Sequence, residues 1–275
     1  MKSVISFLAL SAAMTSVPAI ADNHAVAVPS EAAPTVADAE AFLAKAEKDL
    51  FDFSVEGSKI AWINSTYITD DTDALAARYG EIGTEKSVAY ALEAAKFQKV
   101  AGLSAETARK LNILRGGIVL PAPTTAGAAA ELSNISTKLN SAYGKGKGTL
   151  KGQAINGSDI EAEMGTNRNP DELKEMWVSW HDNVGAPMRE DYTKLAGIAN
   201  QGAGELGFKD VGAMWRSGYD MPADEFAATM DKLWLEVKPL YDELHTFVRT
   251  NLNAQYGDAV QPNKGPIRAD LLGNM

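Results

Sequence analysis

A chain of 275 residues with no cysteine and a formal net charge of −10 excludes several classes at once. Without thiols there is no disulfide stapling, no thiol nucleophile and no cysteine-ligated metal. The acidic balance lacks the basic footprint that nucleic acid requires, so no nucleic-acid partner is expected.

Residues 1–21 carry a basic start at Lys2, an apolar run from Val4 to Val17, and Ala19-Ile20-Ala21 ahead of polar Asp22. This is the pattern of a secretory signal peptide cleaved after Ala21, which predicts an exported protein, periplasmic or secreted. The run is short for a membrane span, and no later segment approaches the roughly eighteen apolar residues one needs, so no transmembrane segment is expected. Residues 22–34, rich in Ala, Val and Pro, read as a flexible leader.

From Val36 the pattern turns helical. Leu43, Ala46, Leu50, Phe53, Gly57 and Ile60 recur at spacings of three and four and form one apolar stripe. Asn64-Ser65-Thr66 is expected to interrupt it, and Thr69-Asp70-Asp71 to supply capping chemistry for a second, alanine-rich helix from Asp73 to Val100. Ser104 caps a third, bearing Leu111, Ile113 and Leu114 and ending at Gly116-Gly117. After a break to Pro123, Thr124 to Ala142 reads as helix. Tyr143 to Thr149, with glycines at 144, 146 and 148, lacks the ending and spacing of a phosphate-binding loop and predicts a mobile loop or short hairpin. Asn169-Pro170-Asp171-Glu172 is a full helix start, with Leu173, Met176, Trp177 and Trp180 behind it.

The strongest periodicity lies between Asp224 and Arg249. Phe226, Met230, Leu233, Trp234, Val237, Leu240, Tyr241, Leu244, Phe247 and Val248 keep helical spacing throughout, and Pro239 should bend the helix. Strand-like alternation is almost absent and no internal repeat occurs. The predicted fold class is all-α, built from long helices.

Candidate chemistry is sparse. Zinc held in a His-Glu-x-x-His helix needs two histidines four apart, and His24, His181 and His245 offer no such pair. His181 and His245 therefore read as packing histidines. No Gly-x-Ser-x-Gly turn is present, and pairs such as Glu161/Glu163 and Glu190/Asp191 read as solvated surface. Met214-Trp215-Arg216-Ser217-Gly218-Tyr219 places an arginine among aromatics; a buried guanidinium there needs an anionic partner or a bound anion. Tyr256 carries a phenolic donor that can also meet an anion.

The ordered set Gly212-Ala213-Met214-Trp215-Arg216-Ser217, Pro239-Leu240-Tyr241 with Leu244-His245 and Phe247-Val248-Arg249, Tyr256-Gly257-Asp258, and Gly265-Pro266-Ile267 with Leu271-Leu272-Gly273-Asn274-Met275 resembles the N-terminal half of a peptidyl-dipeptidase A, the angiotensin-converting-enzyme family, in its bacterial form. Leu206-Gly207-Phe208 and Trp177 with Trp180-His181 fit as well; the likeness is dense over 170–275 and diffuse over 35–170. The resemblance implies a zincin-like, all-α zinc metallopeptidase that releases C-terminal dipeptides from oligopeptides. In that family two halves enclose a channel, and several members are activated by chloride.

The resemblance further implies that residues 35–275 are the N-terminal portion of the peptidase domain. The zinc ligands and catalytic glutamate are expected after Met275, in a missing C-terminal half, so this segment has no catalytic or metal residues of its own. By the same resemblance Arg216 matches a chloride-coordinating arginine with Trp215 beside it, Tyr256 matches a tyrosine on a second chloride, and Glu190 matches an acidic residue of the substrate channel. Two departures stand out. Arg268 and Asp270 replace the family's usual Pro and His, and the region from Gly144 to Gly148, which carries a disulfide in animal members, is expected to be looser here. Long helices made to pack on an absent half would leave exposed apolar surface. The alternative reading is a complete, non-catalytic helical binding or interaction protein of the cell envelope.

Overall fold

A computed structural model of the chain describes residues 33–219 and 221–275. The predicted signal peptide, all but the end of the leader, and His24 lie outside the described residues. The described part is helical apart from one small hairpin, as the periodicity predicts.

Helix α1 spans Val36–Thr66, opened by a reciprocal capping box in which the Thr35 hydroxyl accepts from the Asp38 amide and the Asp38 carboxylate accepts from the Thr35 amide. It runs through Asn64-Ser65-Thr66, where the sequence suggests an interruption. The polar side chains there leave the helical backbone undisturbed: Asn64 donates across to Asp73 Oδ1 at 2.8 Å, and Thr66 donates back to the Trp62 carbonyl at 2.7 Å. Helix α2, Asp70–Ala95, starts three residues before the expected Asp73 because Thr69 forms a second capping box with Thr72. It also stops short of Val100, in turns that seat Phe97 in the core. Helix α3, Ala105–Gly116, is capped by Ser104, whose hydroxyl accepts from the Thr107 amide at 3.0 Å. Ala39, Leu43, Ala94, Phe97 and Leu111 join α1, α2 and α3 in one apolar cluster.

Helix α4, Ala128–Lys145, packs Leu132, Ile135 and Leu139 against Leu195 and Ala199. Strands β1, Lys147–Leu150, and β2, Gln153–Asn156, then pair antiparallel with Leu150 opposite Gln153. Lys151 and Gly152 both take positive φ, 54° and 72°, the two-residue turn whose twist suits a hairpin. Its first strand begins in the stretch from Tyr143 to Thr149 read as a mobile loop or short hairpin, and expected to be looser over Gly144 to Gly148, although Tyr143 to Lys145 end α4. Instead Glu175 accepts from the Lys151 and Gly152 amides at 3.0 and 2.9 Å, and Ser179 Oγ accepts from the Thr149 amide at 2.8 Å. Hydrogen bonds to the helix behind it hold the hairpin without any cross-link.

That helix is α6, Pro170–Trp180, preceded by α5, Gly157–Thr166, and capped by Asn169 as its sequence predicts. Leu173, Met176 and Trp180 are buried with Ile160, Met164, Val184 and Leu271. A π-helical turn, His181–Gly185, links α6 to α7, Ala186–Glu205. Pro187 accounts for the wider turn, since its ring would crowd the carbonyl of residue 183 in a regular helix. Helix α8, Val211–Ser217, and the 34-residue α9, Ala223–Tyr256, complete the set. Among the described residues no helix is long and apolar enough to cross a membrane.

Candidate functional site

The Asp210 carboxylate opens α8 by accepting from the Ala213 amide at 2.7 Å, and Met214 is wholly buried beside Ala91, Ala203 and Leu206. This anchoring fixes the directions of Trp215 and Arg216. Trp215 is about half exposed and donates its indole N–H to the Val119 carbonyl at 2.7 Å. Tyr219 stacks on Phe226 with centroids 4.2 Å apart.

Arg216 is half-buried, and its Nε has no hydrogen-bond partner. Among the described residues no carboxylate forms an ion pair with its guanidinium, although the Asp210 carboxylate and Arg216 Nη1 flank Gly212. The arginine lying over an aromatic ring is a different one. Arg115, in the last turn of α3, sits 5.4 Å from the Phe208 ring centroid, and its Nε is also buried without a partner. Sequence reasoning misses Arg115, because a basic residue ahead of Gly116-Gly117 looks like an ordinary response to the helix dipole. Between α3 and α8 an open cleft of about 410 Å³ is lined by Asn112, Gly116, Gly117, Ser217 and Gly218 among others.

Tyr256 ends α9, half-buried against the cluster of Leu173, Met176 and Leu271. Arg268, further along the C-terminal segment, is the first of the two residues that depart from the family pattern. Arg268 Nε and Nη2 grip the buried carboxylate of Asp270, and Nη2 also donates to the Pro170 carbonyl at 3.1 Å. The hydrogen bond to Asp270 leads the effects that push the Arg268 guanidinium above its ordinary pKa, with Tyr256 a smaller contributor. Gln261, fully buried, accepts from the Arg268 amide at 2.9 Å and donates to the Pro262 and Pro266 carbonyls. The exchange of Pro and His for two charges thus installs an internal ion pair that ties the C-terminal segment to α6.

Glu190 stands exposed near the start of α7, with no hydrogen bond or ion pair among the described residues; its neighbour Asp191 pairs with Lys138 at 2.6 Å. The four predicted site residues do not converge. Trp215 and Arg216 are adjacent, Tyr256 lies at the other end of α9 across about 50 Å of helix, and Glu190 belongs to a third element.

Among the described residues the two histidines do not meet at a zinc centre. His181 stacks on Trp177 at 3.8 Å with its Nδ1 2.7 Å from the Trp177 carbonyl, and His245 Nδ1 faces the Arg249 guanidinium at 3.3 Å. His245 thus stands beside a cation that would repel a metal. Among the described residues no three His, Cys, Asp or Glu side chains group as a metal would need.

Comparison with known proteins bears on the whole described region. The profile of the angiotensin-converting enzyme family matches residues 33–275. The chain is 28% identical over 243 residues to angiotensin-converting enzyme of Rattus norvegicus, covering 86% of this chain and 18% of the relative. It is 28% identical over 241 residues to that of Haematobia irritans exigua, covering 85% of this chain and 38% of the relative. To that of Mesocricetus auratus it is 34% identical over 149 residues, covering 53% and 11%. The chain therefore spans well under half the length of these curated relatives.

Proposed function

Since the chain belongs to the angiotensin-converting enzyme family, we propose that it is the N-terminal portion of an exported zinc metallopeptidase that releases C-terminal dipeptides from oligopeptides. The family match across residues 33–275 is the observation that carries this reading, and it weighs against a stand-alone binding protein of the envelope. In the proposed enzyme the metal and the glutamate that activates water come from polypeptide beyond Met275. No catalytic step is assigned to residues of this chain.

Its own residues have supporting roles. Helices α1 and α2 form part of the wall and entrance of a peptide channel, Glu190 offers an uncompensated carboxylate to a cationic substrate group, and Arg216, with Trp215 beside it, and Tyr256 hold chloride at two separate positions. The Arg216 Nε, buried without a hydrogen-bond partner, supports the first anion position. The predicted signal ending at Ala21 supports export to the periplasm or beyond.

The test uses the protein expressed with its in-frame continuation. Dipeptide release from a blocked tripeptide is expected, lost on chelation and restored by zinc. Chloride should activate, and Arg216→Gln should raise the chloride concentration for half-activation at least tenfold, with a smaller effect from Tyr256→Phe. Intact substrate after zinc loading would defeat the peptidase reading, and a chloride response unchanged in both variants would defeat the anion roles.

A further inference from the structure

Helices α1, α2 and α4 leave between them an open groove of about 540 Å³. Its lining is unusual for this chain. Against 36 acidic and 26 basic residues in the sequence, no ionisable side chain lines the groove. The walls instead carry Asn64 and Ser65 from α1 and Ser136, Thr137, Asn140 and Ser141 from α4. The floor is bare where the helices approach closely. A Cβ at Gly80 would strike the Ser133 hydroxyl, and one at Gly144 would strike the Ile68 side chain. Trp62, 72% exposed, directly follows the lining residue Ala61 on α1 and stands at the edge of the same helix face.

Much of this polar lining has hydrogen-bonding capacity left over. Ser133 donates its hydroxyl to the Ala77 carbonyl at 2.7 Å, and Asn64 donates its amide N–H to Asp73 Oδ1 at 2.8 Å. Ser141 bonds the same carboxylate, so Asp73 steadies one lining residue on α1 and one on α4. By contrast, Ser65, Ser136, Thr137 and Asn140 make no side-chain hydrogen bond among the described residues, although Ser136 and Thr137 are half-buried. An apolar occupant would strand these groups without partners. An ion would find no countercharge. What matches is a neutral ligand dense in groups that both donate and accept, as hydroxyls do. Side chains on one helix face repeat about every 5.4 Å, whereas same-side groups of an extended peptide repeat at about twice 3.4 Å. A peptide main chain therefore falls out of step with the row on α4, while the clustered hydroxyls of a sugar ring need only neighbouring donors and acceptors.

We propose that the groove between α1, α2 and α4 is a carbohydrate site that takes a neutral disaccharide. Ser136, Thr137 and Asn140 exchange hydrogen bonds with the hydroxyls of one ring, and Ser65 and the Asn64 amide oxygen meet those of the next. The Trp62 indole covers the apolar C–H face of a ring. The bare glycine floor lets a flat ring settle close to the helices, and a volume of about 540 Å³ lies in the range of small-ligand pockets. The site is built wholly from the described residues and does not depend on the peptidase reading.

The experiment titrates the chain with cellobiose, chitobiose, maltose and lactose, read by tryptophan fluorescence and by saturation-transfer NMR. Saturable binding of at least one, with a Kd of about 1 mM or tighter, is expected. Ser136→Ala with Thr137→Val should weaken it about tenfold or more, and Asn140→Leu similarly. Thr137→Ser, which keeps the hydroxyl, should bind as the parent does, and Trp62→Phe should remove most of the fluorescence change. Thermal unfolding should stay the same in all of these, because the altered groups have no partner within the chain to lose. No saturable binding of any of the four sugars at roughly ten times that concentration would overturn the proposal. So would affinity unchanged in both the Ser136→Ala, Thr137→Val and the Asn140→Leu variants. A tetra-alanine peptide that binds with the same variant sensitivity while the sugars stay inert would give the groove to a peptide main chain and overturn it too. Binding is read without turnover, so a failed peptidase assay leaves the sugar site standing, and an active peptidase with no affinity for sugar defeats the sugar site alone.

Discussion

Gly202 offers the sharpest test of how α7 is held. A Cβ placed there would stand 2.3 Å from the Pro121 carbonyl oxygen and 2.6 Å from its carbon. The obstacle is backbone, in the segment that leads to buried Ala122 and to the Thr124 amide bonded to Glu205 at 2.7 Å, so no side chain can swing aside. Gly202→Ala gains about 1 kcal/mol of helix propensity, but overpacking against fixed neighbours costs about 3 kcal/mol at the upper end of its usual range. The net expectation is a loss of roughly 2 kcal/mol, about 4–8 °C in Tm for a chain of this size. Gly197, in the same helix, has nothing within 4 Å of its would-be Cβ. Gly197→Ala should therefore stabilise by about 0.4–1 kcal/mol. Scanning calorimetry of the two variants under one buffer decides the matter. If both shift Tm in the same direction, the close approach of α7 to Pro121 does not govern stability and the packing argument is wrong.

Glu175→Ala removes the acceptor for the hairpin-turn amides, and hydrogen exchange should lose its protection at Lys151 and Gly152 while α6 stays protected; unchanged exchange would mean that the strand pairing alone holds the turn. Asp270→Ala leaves the Arg268 guanidinium without its carboxylate. Arg268 keeps some solvent access, so the loss is about 2 kcal/mol rather than the larger figure for a fully buried pair, and a drop in Tm of about 4–8 °C is expected. Asp49 accepts hydrogen bonds from Lys86 and Tyr90, and these, Lys86 foremost, hold its carboxyl below the usual range. A depressed carboxyl stabilises above its unfolded pKa and loses that contribution as pH falls through the folded value. Tm should accordingly fall on acidification below about pH 4, and less steeply in Asp49→Asn; equal slopes would exclude Asp49 from the acid response.

The signals that are local in the chain were the legible ones. Thr69, Ser104 and Asn169 cap where their sequence context says, because a cap needs only its own side chain and the next three amides. The end of α1 was not legible, since Asn64 behaves as a helix residue only through a partner at Asp73, nine positions on. The hairpin was half legible: Gly144, Gly146 and Gly148 mark a break in helical pattern, but the turn itself lies at Lys151-Gly152 and the clamp that steadies it comes from Glu175 on another element. The candidate site divides the same way. Arg216 is conspicuous in sequence among Trp215 and Tyr219, whereas the contact of a guanidinium with a ring is made by Arg115, which only the approach of α3 to Phe208 reveals. The helical spacing of α9 could be read directly, and the exposed apolar surface expected of long helices is found on it among the described residues.

That uncovered helix also decides which substitutions report on function and which report on folding. The four apolar clusters draw their buried residues from α1 to α8 and the C-terminal turn, and α9 adds only partly buried residues near its end, Leu252 and Tyr256. Its middle tolerates Pro239 because the carbonyl freed at Leu235 lies in a fully exposed stretch where water can satisfy it. Apolar-to-polar changes between Met230 and Leu244 remove no fully buried side chain and should shift the free chain's Tm little. The two anion candidates differ in kind: Arg216 follows the buried Met214, and Tyr256 packs on the α6 cluster. Truncating either would mix lost packing with lost charge or lost hydroxyl. Tyr256→Phe keeps the ring, and Arg216→Gln keeps most of the stem and an amide donor, so a shifted chloride response in those two variants would report the ion and not the fold.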